Sequence, residues 1–214
     1  MKSVFRLIAG LVAVGGLTIS FFHGANASEA DVLRRLVLHF SMFTNLTNTV
    51  VMIALLIPVL MPIAGLGRFL SGAGARTAIA GYIIFVGIAY HFLLANVWQP
   101  QGWTLVAMII THYVVPVLFV VDWVVFTSAK AGVAWSNAVT SLVYPIPYIA
   151  WTLFHGAKTG WYPYHFLNVN TLGYKQVLIN TAGFLATLLA LQFLLTGVGK
   201  LLGETVQSEG PTKA

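Results

Sequence analysis

Six hydroxyl and amide side chains, Ser41, Thr44, Asn45, Thr47, Asn48 and Thr49, crowd into HFSMFTNLTNTVV, residues 39–51, within an otherwise apolar run. A threonine hydroxyl becomes a nucleophile when a base takes its proton, and histidine is the usual base near neutral pH. Of the six histidines, His23, His39, His155 and His165 fall at the edges of apolar runs and read as interfacial. His112, in THYVVPVLFVVDW, and His91, in GIAYHFLLANVW, lie deeper. Ionisable groups inside a membrane span are functional candidates by default. Thr44 and His112 therefore define a candidate Thr–His dyad for acyl transfer, with Asn45, Thr47, Asn48 and His91 as candidate substrate or oxyanion groups.

These residues also have a plainer reading. Ser, Thr and Asn commonly tie membrane helices together, at roughly 0.6 kcal/mol per contact, and a buried histidine can bridge two helices. At 100° per residue Ser41, Thr44, Thr47 and Asn48 share one helix face, while Phe43, Leu46 and Val50 form an opposite stripe expected to face lipid. Thr44 is expected about seven residues, or roughly 10 Å, into its span, and His112 about nine residues, or roughly 14 Å, into another. The side chains of Met108, Ile109, Val115 and Pro116 cannot satisfy the His112 ring, so its partner is expected from another helix or from water, because an unpaired polar group in hydrocarbon costs several kcal/mol.

The elements that must hold such a site follow from composition. The 214 residues are 58% hydrophobic and only 7% charged, with a mean hydropathy of +0.87, against about 25% charged in ordinary soluble domains. Apolar runs at about 4–23, 37–63, 77–98, 103–127, 135–156 and 174–199 are each close to the ~20 residues that cross a bilayer. They are too long and unalternated for barrel strands. The expected fold is all-α: one domain over residues 1–214, a polytopic bundle of six transmembrane helices. The first run, with Lys2 and Arg6 at its start and GANAS after it, also resembles a secretory signal with Ala25 and Ala27 flanking a cleavage point; an uncleaved span is the preferred expectation.

With six spans, Lys2, Arg6, Arg68, Arg76, Lys130, Lys200 and Lys213 fall on one side and Arg34, Arg35, Lys158 and Lys175 on the other. The positive-inside rule then sets both termini in the cytoplasm. The aromatic segment 160–174 lies outside, as an interfacial belt or a lid. The 11 basic residues are scattered without a basic run or recognition motif, which excludes a nucleic-acid partner. No cysteine is present, which removes disulfides, thiolate nucleophiles and Cys-ligated metal sites. Neither HExxH nor a carboxylate cluster suggests a metal, so neither metal nor cofactor is expected. Asp122, the one carboxylate within a span, is about 15 Å from His112 along the helix; it is expected to pair with Arg68, Arg76 or Lys130 in a structural role.

Taken as a set, HFSMFTNLTN, GIAYHFLLANVWQPQGW, HYVVPVLFVVDW, YPIPYIAWTLFHGAKTGWYPYHFLNV and LGYKQVLIN resemble the androgen-induced-gene-like family of six-span membrane proteins, in its bacterial form, over about residues 37–185. The family's animal members are threonine hydrolases that cleave fatty acid esters of hydroxy fatty acids. The resemblance implies Thr44 as nucleophile and His112 as general base, with Thr47 as the alternative because FTNLTN can be aligned three residues out of step. It also implies a lipid or fatty-acyl ester substrate and a bacterial inner-membrane location. Two other classes stand beside it. One is a non-enzymatic lipid-binding protein or small transporter, with the Thr and Asn face lining a cavity. The other is a haem protein ligated by His91 and His112.

Overall fold

The computed structural model describes residues 1–128 and 130–208, and among these every regular element is helical. In chain order the α-helices are α1 (Lys2–His23), α2 (Val32–Ser41), α3 (Phe43–Leu60), α4 (Gly65–Ser71), α5 (Ala73–Ala89), α6 (Gly102–Ile109), α7 (Val115–Phe126), α8 (Ser136–Thr140), α9 (Pro145–Thr159) and α10 (Val169–Ser208). A π-helical turn, Tyr90–Leu94, extends α5, and another, Ile110–Val114, joins α6 to α7. Among the described residues five stretches are long and apolar enough to cross a membrane, Lys2–His23, Phe43–Leu60, Ala73–Leu94, Gly102–Phe126 and Val169–Leu202; the remaining expected run, 135–156, is not one long helix.

Two of the expected runs are broken, each for a visible reason. The run at 135–156 forms α8, a 3-10 turn (Ser141–Val143) and α9, because Pro145 and Pro147 have no N–H to give to the turn before them. The Ser141 carbonyl, which a continuous helix would offer to residue 145, instead accepts from the Tyr82 hydroxyl. The run at 37–63 divides at Met42, whose backbone is extended (φ −80, ψ 122). There the Ser41 carbonyl receives the Tyr148 hydroxyl at 3.2 Å, and Asn45 folds its amide back onto the His39 carbonyl at 3.1 Å. Thr44 is consequently the second residue of a helix rather than one lying two turns inside a span.

Small residues let α1 lie close to its neighbours, as membrane helices without a hydrophobic driving force require. Ala9, Gly10, Ala13 and Gly16 are buried along one face; a Cβ on Gly10 would meet Leu56 Cδ2 at 2.4 Å, and one on Gly16 would meet Ile110 Cγ2 at 2.5 Å. The stripe opposite the polar face of α3 is corrected at Phe43. This ring is 3% exposed and packs against Tyr144, Tyr148, Phe85 and Phe184, with centroids 4.9–6.2 Å apart. The broken fifth run, α5 and α10 enclose Phe43, which a simple helical wheel assigns to lipid.

Asp122 holds the other end of the bundle. Its carboxylate accepts from Arg6 Nε at 2.7 Å and Nη2 at 3.2 Å, and it also pairs with Arg76. Arg76 donates further to the carbonyls of Ala54 (3.1 Å) and Leu70 (3.2 Å) and to Thr127 Oγ1 (3.2 Å). Of the three partners expected for Asp122, Arg76 is therefore present; Arg6, from α1, joins it. Removing one member of a buried ion cluster leaves the others uncompensated. Asp122→Asn is expected to cost about 3–5 kcal/mol, read as a lower midpoint in detergent-solubilised thermal unfolding; an unchanged midpoint refutes the structural role.

Candidate active site

Thr44 and His112 come together. Thr44 Oγ1 lies 3.3 Å from His112 Nε2, and both side chains are 8% exposed. They border a largely apolar cavity of about 220 Å³ between α1, α2, α3, the π-turn after α5, and α6. The contact is long for a hydrogen bond, as is common for a general base and its nucleophile before substrate draws them together.

The His112 ring has the expected partner from another helix, Thr44 on α3, at Nε2, and its other nitrogen is fixed from within its own helix. Nδ1 lies 3.1 Å from the Met108 carbonyl and 3.1 Å from Thr111 Oγ1. A carbonyl only accepts, so Nδ1 carries the proton. The Thr111 hydroxyl hydrogen goes to the Ala107 carbonyl at 2.8 Å, which leaves its oxygen free to accept as well. In the neutral ring Nε2 then presents a lone pair to Thr44. The Tyr90 ring packs against the imidazole, centroids 4.3 Å apart.

The π-turn also explains how α3 and α7 are held in register. Val115 N–H bonds to Ile110 O, five residues back; continuing this pattern would require an N–H on residue 116, which is proline. The Thr111 carbonyl is thus left for another donor, and Asn48 Nδ2 supplies it at 3.1 Å. The same amide gives its other hydrogen to the Thr44 carbonyl at 2.8 Å. Asn48 is a clamp between the peptide of Thr44 and the residue next to His112, with neither amide hydrogen left for an oxyanion.

The remaining candidates fall elsewhere. Asn45 directs its amide to His39, to the carbonyl and to Nδ1 at 3.2 Å, and accepts from Ser20 Oγ at 3.2 Å. It borders the cavity, but its donors are committed. His39, expected at the interface, is 5% exposed for this reason. Thr47 is fully buried and bonded to Tyr144 Oη at 2.9 Å, away from the cavity wall. His91 is exposed, borders a separate apolar groove and bonds to Tyr113 Oη at 3.3 Å.

Sequence reasoning missed Tyr164. The αL turn at Gly160 (φ 75) that caps α9 starts the segment that brings it back over the site. Its Oη accepts from Thr44 N–H at 3.2 Å and lies 3.3 Å from Thr44 Oγ1. Burial pushes the phenol above its usual pKa, so it remains an O–H donor. The signal was the aromatic stretch GWYPYHF, whose lid role was one of two readings. Beyond Tyr164, a void of about 20 Å³ borders the dyad and shares Phe166 and Phe184 with an apolar groove between α5 and α10.

The arrangement is chemically that of an activated alcohol at a helix N-terminus, where unsatisfied N–H groups and the helix dipole favour negative charge. Among the described residues, no group of three His, Cys, Asp or Glu side chains could hold a metal ion. Comparison with known proteins matches the chain to no family model, no curated protein and no solved structure. The clamp makes a direct prediction: Asn48→Leu strands the buried Thr111 carbonyl, at about 1–3 kcal/mol, while the Thr44 carbonyl keeps only its helical N–H partner. The variant's thermal midpoint should fall well below that of Thr49→Val, a neighbouring substitution whose hydroxyl serves only its own helix at 2.8 Å.

Proposed function

We propose that this membrane protein is an intramembrane ester hydrolase acting on fatty-acyl esters, with Thr44 as nucleophile and His112 as general base. The observation that carries the reading is the contact of Thr44 Oγ1 with the unprotonated Nε2 of a ring whose other nitrogen is held by a backbone carbonyl. The resemblance to the androgen-induced-gene-like threonine hydrolases favours the same pair.

In the first step His112 Nε2 takes the Thr44 proton as Oγ1 forms a bond to the ester carbonyl carbon. The carbonyl becomes an oxyanion, and its collapse breaks the C–O bond to the alcohol, which leaves with the proton from His112. Water, deprotonated by the same nitrogen, then attacks the acyl-threonine; acid leaves and Thr44 regains its hydrogen. The Tyr164 O–H is placed to donate to the oxyanion, polarised by the Thr44 N–H that it accepts. The Asn45 and Asn48 amides, first expected in this role, hold backbone instead. The acyl chain lies against the predominantly apolar wall of the cavity.

The proposed setting is a bacterial inner membrane with both termini cytoplasmic, on the basic-residue bias described above; Lys213, one of its seven residues, lies outside the described residues. That topology opens the cavity on the outer side. A fluorophosphonate probe should label the purified protein, lose its target in Thr44→Ala and His112→Ala, and keep it in Thr47→Val. Labelling that follows Thr47 and not Thr44 removes the assignment. Tyr164→Phe should lower kcat about 10²- to 10³-fold, the usual loss for one oxyanion donor, with KM for a medium-chain nitrophenyl ester little changed.

A further inference from the structure

The cavity wall carries a cation that the hydrolytic steps do not use. Arg35, on α2, borders the same cavity as Thr44 and His112. Its guanidinium lies over the Phe21 ring, 4.8 Å from the centroid, and Nη1 donates to the Ala27 carbonyl at 3.3 Å. Nε is buried and has no hydrogen-bond partner. The neighbouring Arg34 pairs with Glu29 at 3.2 Å, and among the described residues no carboxylate is within ion-pair distance of Arg35.

A half-buried guanidinium with a desolvated, unanswered N–H is unfavourable unless something supplies the acceptor. Because Nη1 is occupied, the free edge is the one formed by Nε and Nη2. That edge presents two parallel N–H groups, the geometry that grips two oxygens of one carboxylate or phosphate. The stacked Phe21 ring holds the plane of the fork, and the rest of the cavity is predominantly apolar. The site therefore suits one oxyanion group attached to a hydrocarbon chain.

We infer that Arg35 is the anion-recognition residue of this cavity, binding the carboxylate or phosphate of an amphiphilic ester. The inference rests on the hydrolase reading for the word ester, but the anion subsite is testable without turnover. The full-length protein in dodecyl maltoside is titrated calorimetrically with dodecanoate, dodecyl phosphate and dodecanol. Wild-type protein should prefer at least one anionic amphiphile to dodecanol by about tenfold or more, and Arg35→Gln should erase that preference. The better-bound anion identifies carboxylate or phosphate as the group read.

Arg35→Lys, which keeps the charge without the planar fork, should retain only part of the preference. Should the glutamine variant fail to fold, the lysine variant decides, and a full preference there overturns the fork. Equal binding of all three amphiphiles by wild-type protein also overturns the proposal, as does displacement of the anionic amphiphile by inorganic phosphate at the same concentration. Thr44→Val should keep the preference. A probe that never labels Thr44, beside an intact Arg35-dependent preference, ends the hydrolase reading and leaves the anion subsite standing.

Discussion

The bond between His112 Nδ1 and the Met108 carbonyl is the constraint on which the site's geometry depends. An imidazole inside an apolar bundle must have at least one nitrogen satisfied, and a carbonyl fixes which one carries hydrogen. Once Nδ1 is committed, Nε2 has the lone pair, and the ring is turned so that this lone pair meets Thr44 Oγ1. Thr111 Oγ1 reinforces the choice from the adjacent residue. A carboxylate is therefore unnecessary for orienting the ring, and Asp122 is free for its separate task at the far end, where two arginines surround it.

Irregular backbone at membrane depth is tolerated where it is buried in protein or lines a cavity, and here the irregularities converge on one place. The π-turn and Pro116 expose the Thr111 carbonyl; the break at Met42 sets Thr44 at the beginning of α3. Asn48 joins these two departures by bonding both carbonyls. Dense Thr and Asn content in α3 is thus not one function repeated. Thr44 faces His112, Asn48 fastens helices, Asn45 closes the end of α2, and Thr47 ties the interior to Tyr144. The adhesive interpretation of that stretch holds for Asn45, Thr47 and Asn48, while Thr44 meets the imidazole.

The polarity of the site also organises its surroundings. The helix N-terminus at Thr44 and the Tyr164 hydroxyl supply positive potential and a donor beside the alcohol, while Phe85, Phe166 and Phe184 form an apolar wall next to it. An ester carbonyl between these regions would meet donors on one side and hydrocarbon on the other. Electrostatic preorganisation of this kind is effective because few water molecules compete for the same groups.

Length, apolar periodicity and scarcity of charge sufficed to fix the all-α membrane class, since only closed hydrogen bonding survives in lipid. They also singled out Thr44 and His112, because polar groups are conspicuous against hydrocarbon. What a single chain could not express was azimuth and interruption. A wheel drawn on residues 43–50 sent Phe43 to lipid, whereas Tyr144, Tyr148, Phe85 and Phe184 enclose it. Tyr164, some 120 positions from Thr44, and Arg6, 116 from Asp122, are partners by packing alone. Sequence patterns carry the energetic need for a partner; only tertiary structure chooses it, because the hydrogen bonds that satisfy those needs run between segments with no fixed spacing along the chain.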